Sequence, residues 1–238
     1  MPESATKPLC LLLPGTDGTG LFYTGLAEAL RPHVEVRILN YPQDQSLGYA
    51  ELCRHLQPEL PADRDYILIA ESFAGPLAIL LAEAAAHKPS ALILAATFAT
   101  SPWPVSARFF RALLPMTDWL SPPTWLIRVL LLGPGTRPMT QDILESIQKL
   151  GSDVLKSRLN AALTCDVSEA LKKLDLPILY LRGRHDRLIP RTCGERILKL
   201  NPRTTIQTIE APHFVFQEDP ASLVADVLLP FIRDWRIL

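Results

Sequence analysis

The sequence has almost no net charge: 24 Lys and Arg stand against 25 Asp and Glu, giving −1 at pH 7. So even a balance removes the electrostatic case for a nucleic-acid partner. Long apolar runs are also missing, and no stretch approaches the roughly 18 apolar residues of a membrane span. The segment Met1–Pro8 carries an acidic residue and two prolines without a long apolar region, and is not expected to act as a signal peptide. Cysteine is scarce. Cys10, Cys53, Cys165 and Cys193 lack metal-like spacing, and the expectation is buried free thiols in a reducing cytoplasm. Internal repeats, low-complexity tracts and shifts of composition are absent as well. The 238 residues therefore imply one sizeable domain, with room for an inserted lid, and 48% apolar residues are ample for its core.

What is present is an alternation of strand-like and helix-like segments. Leu9–Leu13 is a continuous apolar run, as expected of a strand buried on both faces. It ends in Pro14-Gly15-Thr16-Asp17-Gly18-Thr19-Gly20, whose three glycines can turn backbone N–H groups inward. A helix over 22–30, a strand over 34–39 and a helix over 49–60 follow, the last with Leu52, Leu56 and Leu60 four apart. Next come a strand at Tyr66–Ala70, a helix over 73–86 and an apolar strand over Ala91–Ala99. Further strands are expected at Leu176–Leu181 and Thr204–Ile209, with helices over 192–200 and 220–235. Such alternation predicts an α/β fold: a mostly parallel sheet covered by helices on both faces, with its chemistry on loops at the carboxyl ends of the strands.

The stretch Ala70-Glu71-Ser72-Phe73-Ala74-Gly75-Pro76 turns a strand directly into a helix. Such a turn strains the dihedrals of Ser72, and small neighbours let the two elements come close. The N–H of Phe73 then sits where a helix start favours negative charge. On this stretch alone two readings stay open: Ser72 as an activated nucleophile, or Ser72 as an N-cap.

A serine hydroxyl needs a base, and the base needs an orienting carboxylate. His213, in Ala211-Pro212-His213-Phe214, leaves the last strand at the same sheet edge. Asp186 follows the Leu176–Leu181 strand, in Gly183-Arg184-His185-Asp186. Each has an ordinary alternative, a surface loop histidine and a turn aspartate. Asp166 and Asp175 precede that strand, at the opposite end of the sheet, and no acid follows the 91–99 strand before Asp118.

The alternation breaks between Thr100 and Leu174. This interval opens with Ser101-Pro102-Trp103-Pro104 and later carries Ile143, Ile147, Leu150, Val154 and Leu155 at helical spacing. It is expected to be an all-helical lid, dividing the chain into a core of 1–99 and 175–238 and an insertion of 100–174. Its first half is strongly apolar, which favours an apolar substrate cleft beneath it. Trp103, Phe109, Phe110, Met116 and Trp119 are the candidate substrate-contacting residues.

These motifs, with the chain order Ser72, Asp186, His213, resemble the α/β-hydrolase superfamily over nearly the whole length. The resemblance implies a nucleophile at Ser72, an orienting acid at Asp186 and a base at His213. It also implies an oxyanion hole from the N–H groups of Thr16 and Phe73, and a sheet reduced at its amino-terminal side. Ala70 and Ala74 stand where the family commonly has glycine, with Gly75 one place later; alanine is small enough for the turn. Asp17 either lies near the oxyanion hole or orders the glycine loop, and Glu71 either hydrogen-bonds near the base or packs beside the turn. The expected activity is a carboxylesterase acting on esters of apolar acyl groups, with no metal or cofactor implied. An acyltransferase or thioesterase with the same triad is the alternative, because the 14–20 loop beside Glu71-Ser72-Phe73 resembles lipid acyltransferase-like members. A hydrolase-like binding protein is disfavoured, since a pocket alone does not require all three side chains.

Overall fold

The computed structural model describes residues 7–104, 124–132 and 139–234. Six strands form one sheet: β1 (Leu9–Leu13), β2 (Glu35–Ile38), β3 (Tyr66–Glu71), β4 (Ala91–Ala95), β5 (Ile178–Gly183) and β6 (Thr204–Ile209). Their order is β2-β1-β3-β4-β5-β6 and every neighbouring pair is parallel. β1, β3 and β4 are buried at every position, whereas the two edge strands alternate towards solvent. This is why the inner strands read as continuous apolar runs.

Successive side chains of the inner strands feed two separate cores. Leu11, Leu13, Leu68 and Ala70 pack on one face of the sheet, against α2 (Tyr49–Leu56), α3 (Ala74–Ala84), α7 (Ser168–Lys173) and α8 (Arg191–Leu200). Cys10, Leu12, Ile67 and Ile69 pack on the other, against α1 (Thr24–Leu30) and the carboxyl-terminal helices. Each such leucine or isoleucine contributes about 1.5–3 kcal/mol by leaving water, and truncating Leu68 to Ala should cost about 2–5 kcal/mol. All four cysteines are buried and free.

Between β4 and β5 the described residues form α4 (Thr124–Leu131), α5 (Met139–Lys149), α6 (Ser152–Leu163) and α7. The expected residues Phe109, Phe110, Met116 and Trp119 lie outside the described residues. Among the described residues no helix is long and apolar enough to cross a membrane.

Several boundaries differ from expectation for local reasons. β4 stops at Ala95 rather than Ala99, because Ala96 adopts a positive φ of 45° and turns the chain away from the sheet. A short helix, α9 (Val215–Glu218), precedes the helix expected over 220–235, which runs as α10 (Pro220–Leu223), a π-helical turn at Val224–Leu228 and α11 (Leu229–Asp234). Asp219 separates the first two by accepting the N–H of Ser222 as an N-cap.

Candidate active site

Ser72 sits at the end of β3 with φ 55°, a conformation that costs a non-glycine residue about 1–3 kcal/mol. Four contacts hold it there. Its N–H donates to Ala95 O at 2.9 Å, and its carbonyl accepts the N–H of Gly75 at 3.2 Å and the hydroxyl of Thr97. Tyr49 Oη donates to the next carbonyl, that of Phe73, at 2.9 Å. Gly75 is required by Thr97: a Cβ there would lie 2.0 Å from the Thr97 hydroxyl oxygen. α3 starts at Ala74 without a side-chain cap, so Ser72 does not serve as its N-cap. The Ser72 hydroxyl instead lies 2.9 Å from His213 Nε2.

His213 follows β6 on a loop pressed against the end of β5. A Cβ at Gly183 would stand 2.2 Å from the carbonyl oxygen of Pro212, so only glycine lets the two segments meet. His213 Nδ1 lies 3.1 Å from Asp186 Oδ2. The other carboxylate oxygen of Asp186 accepts the N–H groups of Leu188 and Ile189 at 2.8 and 2.9 Å, which fixes the plane of the group. Both members of this pair are almost fully buried. The structure thus brings together the three side chains singled out in the sequence.

Glu71, immediately before the serine, is buried and reaches the far side of the histidine loop. Its carboxylate accepts the N–H groups of Val215 and Phe216 at 2.9 and 3.3 Å and the side-chain amide of Gln217 at 2.8 Å. Of the two readings of Glu71, the structure shows the hydrogen-bonded one. Burial pushes its pKa up to about 7, against the pull of the Gln217 amide, the nearby imidazole and the two N–H groups.

The 14–20 loop is held from behind by buried side chains. Tyr23 Oη donates to Leu13 O at 2.9 Å, and Tyr41 Oη to Pro14 O at 2.7 Å. Gly15 O accepts the N–H of Gly18 at 3.1 Å, making Thr16 and Asp17 the centre of a tight turn. The Asp17 carboxylate accepts the N–H of Thr19 at 2.9 Å and also its hydroxyl, which orders the glycine loop. Among the described residues, no protein acceptor takes the N–H of Thr16 or of Phe73.

Arg158 on α6 was not singled out in the sequence. It is fully buried, and its guanidinium donates to Thr16 O at 2.7 Å, Asp17 O at 3.0 Å and Pro42 O at 2.7 Å. It lies over the Tyr41 ring, 5.5 Å from the centroid. Burial lowers its pKa, and the Tyr41 and Asp17 side chains beside it oppose that shift.

Ser72 and His213 open into a cavity of about 330 Å³. Its apolar wall comes largely from α5 and α6, through Ile143, Ile147, Leu155 and Leu159, with Phe22 and Phe214 meeting edge to face at 5.6 Å. Trp103 is half-buried and does not line it. The four wall residues on α5 and α6 were not singled out as contacts in the sequence, which pointed to the aromatic-rich first half of the interval. Their signal was the four-residue spacing of Ile143 with Ile147, and of Leu155 with Leu159. Among the described residues no group of three or more His, Cys, Asp or Glu side chains converges as a metal site.

The family model described as "Alpha/beta hydrolase family" matches residues 10–227. The chain belongs to the alpha/beta hydrolase family. Among solved structures, this alpha/beta hydrolase is similar to a hydrolase from Oleispira antarctica, with a TM-score of 0.81 at 13% identity over 96% of this chain and 92% of that one. A hydrolase from Pseudomonas aeruginosa PA01 matches with a TM-score of 0.79 at 19% identity, covering 94% and 89%. The enol-lactonase from Burkholderia xenovorans LB400 matches with 0.65 at 14% identity, covering 99% and 94%. At these identities the likeness is one of fold. A search of curated protein sequences finds no match.

Proposed function

We propose that this alpha/beta hydrolase is a carboxylesterase that cleaves esters of apolar acyl groups through an acyl-enzyme on Ser72. The observation that carries the reading is the Ser72 hydroxyl held 2.9 Å from His213 Nε2 at the mouth of an apolar cavity. His213 takes the hydroxyl proton as Ser72 Oγ bonds to the ester carbonyl carbon, and the carbonyl electrons move onto oxygen. Asp186 holds the ring so that Nδ1 keeps its proton and Nε2 faces the serine. The N–H groups of Thr16 and Phe73 receive the oxyanion, and each such donor is worth about 3–4 kcal/mol of barrier. His213 then gives its proton to the departing alcohol. Water repeats the sequence on the acyl-enzyme, releasing the acid and restoring the serine.

The cavity also restricts the substrate. Asp17, Tyr23, Glu71 and His213 are the titratable side chains on the described wall, and neither lysine nor arginine is part of that wall. An anionic acyl group would meet two carboxyl groups and no counter-charge, so the acyl group should be neutral as well as apolar. Hydrolysis of p-nitrophenyl esters of graded length, by wild type and Ser72→Ala, tests the reading. Hydrolysis lost in the variant with an unchanged melting curve is expected; a variant that still turns over excludes Ser72 from the reaction. Adding a long-chain alcohol identifies acyl transfer, which would appear as a new ester in place of the free acid.

A further inference from the structure

We propose that Arg158 is a positioning residue for the oxyanion hole: α6 inserts a guanidinium that locks the Thr16–Asp17 turn, so the helical interval completes the catalytic machinery as well as walling the cavity. This inference rests on Ser72 being the nucleophile and Thr16 N–H an oxyanion donor.

The argument begins with the turn. Gly15 O accepts the N–H of Gly18, leaving Thr16 and Asp17 as the two central residues. The peptide between the central residues of a β-turn is the one free to rotate, since type I and type II turns differ chiefly in its orientation. Rotation would change ψ at Thr16 and carry Asp17 to positive φ, and Asp17 has no positive φ here. Arg158 blocks it directly. One guanidinium nitrogen takes both Thr16 O and Asp17 O, at 2.7 and 3.0 Å, and the other takes Pro42 O at 2.7 Å. The Pro14 carbonyl is separately held by Tyr41 Oη at 2.7 Å. The Thr16 N–H belongs to the preceding peptide, whose carbonyl, Gly15 O, is held by Gly18 N–H, so it is fixed between that bond and the Thr16 carbonyl that Arg158 holds.

Two features fit this role better than simple packing. A fully buried arginine is costly to keep, yet this one spends its bonds on backbone carbonyls, two of the loop and that of Pro42, and none on a carboxylate. The loop is also shaped to receive it: a Cβ on Gly18, where φ is +72°, would stand 2.8 Å from Arg158 Nη1. The positive charge also lies behind the turn, where it offsets Asp17 and favours negative charge at the Thr16 N–H.

The test separates oxyanion binding from ground-state binding. A medium-chain alkyl trifluoromethyl ketone adds the Ser72 oxygen at its carbonyl carbon, the proton goes to His213, and the new alkoxide occupies the oxyanion hole. The corresponding trifluoromethyl carbinol fills the same cavity and forms no alkoxide. Arg158→Met should lose about 10- to 100-fold in ketone affinity while carbinol affinity stays within about twofold, and kcat should fall with KM little changed. Arg158→Lys, which keeps the charge but lacks the planar two-nitrogen fork that reaches these carbonyls, should fall between. If Arg158→Met does not fold, the ketone-to-carbinol ratio of Arg158→Lys decides. An unchanged ratio, or equal loss of both ligands, overturns the proposal. Fluorophosphonate labelling of Ser72 in the wild type tests the underlying reading separately. Labelling with an unchanged ratio defeats the Arg158 inference alone, whereas absent labelling defeats the nucleophile itself.

Discussion

The carboxylate of Glu71 accepts the N–H of Val215 at 2.9 Å, tying the residue before the serine to the residue two past the histidine. The buried group is held up to about pH 7 in its pKa, from an ordinary 4.5, chiefly by desolvation. A folded pKa above the unfolded one means that the folded protein binds this proton more tightly. Its contribution to stability is complete below about 4.5 and is lost as pH rises through about 7. The loss is on the order of 3 kcal/mol. Glu71→Gln should abolish it without leaving a clash, because the buried Gln217 Oε1 has no partner and can accept the new amide once Gln217 turns over. Urea unfolding of both proteins on either side of this window measures the difference. Parallel stability–pH curves would refute it.

Asp186 offers a test of ring orientation. The N–H groups of Leu188 and Ile189 claim its Oδ1, so in Asp186→Asn they would keep the amide oxygen and turn the NH2 towards His213 Nδ1. That geometry favours the tautomer with its proton on Nε2, which cannot accept from serine. The expected loss in kcat/KM is roughly 10³- to 10⁴-fold with the fold retained by circular dichroism. A decrease smaller than about tenfold would mean that orientation by Asp186 matters little.

The parallel sheet was legible because its inner strands are buried on both faces and so appear as unbroken apolar runs. Ser72, Asp186 and His213 stand out because each leaves a strand at one sheet edge. What braces them was not legible. Tyr23, Tyr41 and Tyr49 look like ordinary core aromatics, yet each gives its hydroxyl to a backbone carbonyl at the end of β1, in the 14–20 loop or just after Ser72. Arg158 sits on an unremarkable helical stretch, and its role depends on a bond to a residue 142 positions away. Ala96 carries no propensity for positive φ; its turn is imposed by the sheet on one side and by Thr97 beneath the serine on the other.

Gly183 is the position where sequence change should uncouple stability from activity. Its added Cβ meets the carbonyl oxygens of Pro212 and Ala211, at 2.2 and 2.8 Å, and both are backbone. Gly183→Ala must therefore push the histidine loop outward, at about 1–3 kcal/mol of stability. Displacing His213 by even a fraction of an ångström weakens proton transfer, so kcat should fall about tenfold or more where the variant is still folded. Thermal melts paired with rates below the melting range check both parts. Wild-type rates in a destabilised variant would show that the loop yields without moving the imidazole.

The cavity wall supplies the remaining prediction. Ile143 and Ile147 face the cavity from one side of α5, a turn apart, beside the Ser72 and His213 mouth. Ile147→Trp adds volume inside the cavity, where a longer acyl chain has no alternative space. A methylene in such a pocket is worth about 1–3 kcal/mol, so shortening the channel by one or two should lower the decanoate-to-butyrate ratio of kcat/KM at least tenfold. Ile147→Ala should move the ratio the other way by leaving room for the longer chain. Opposite shifts place the acyl group against α5. If both variants keep the wild-type ratio, the chain takes another route out of the cavity, and α5 does not set acyl length.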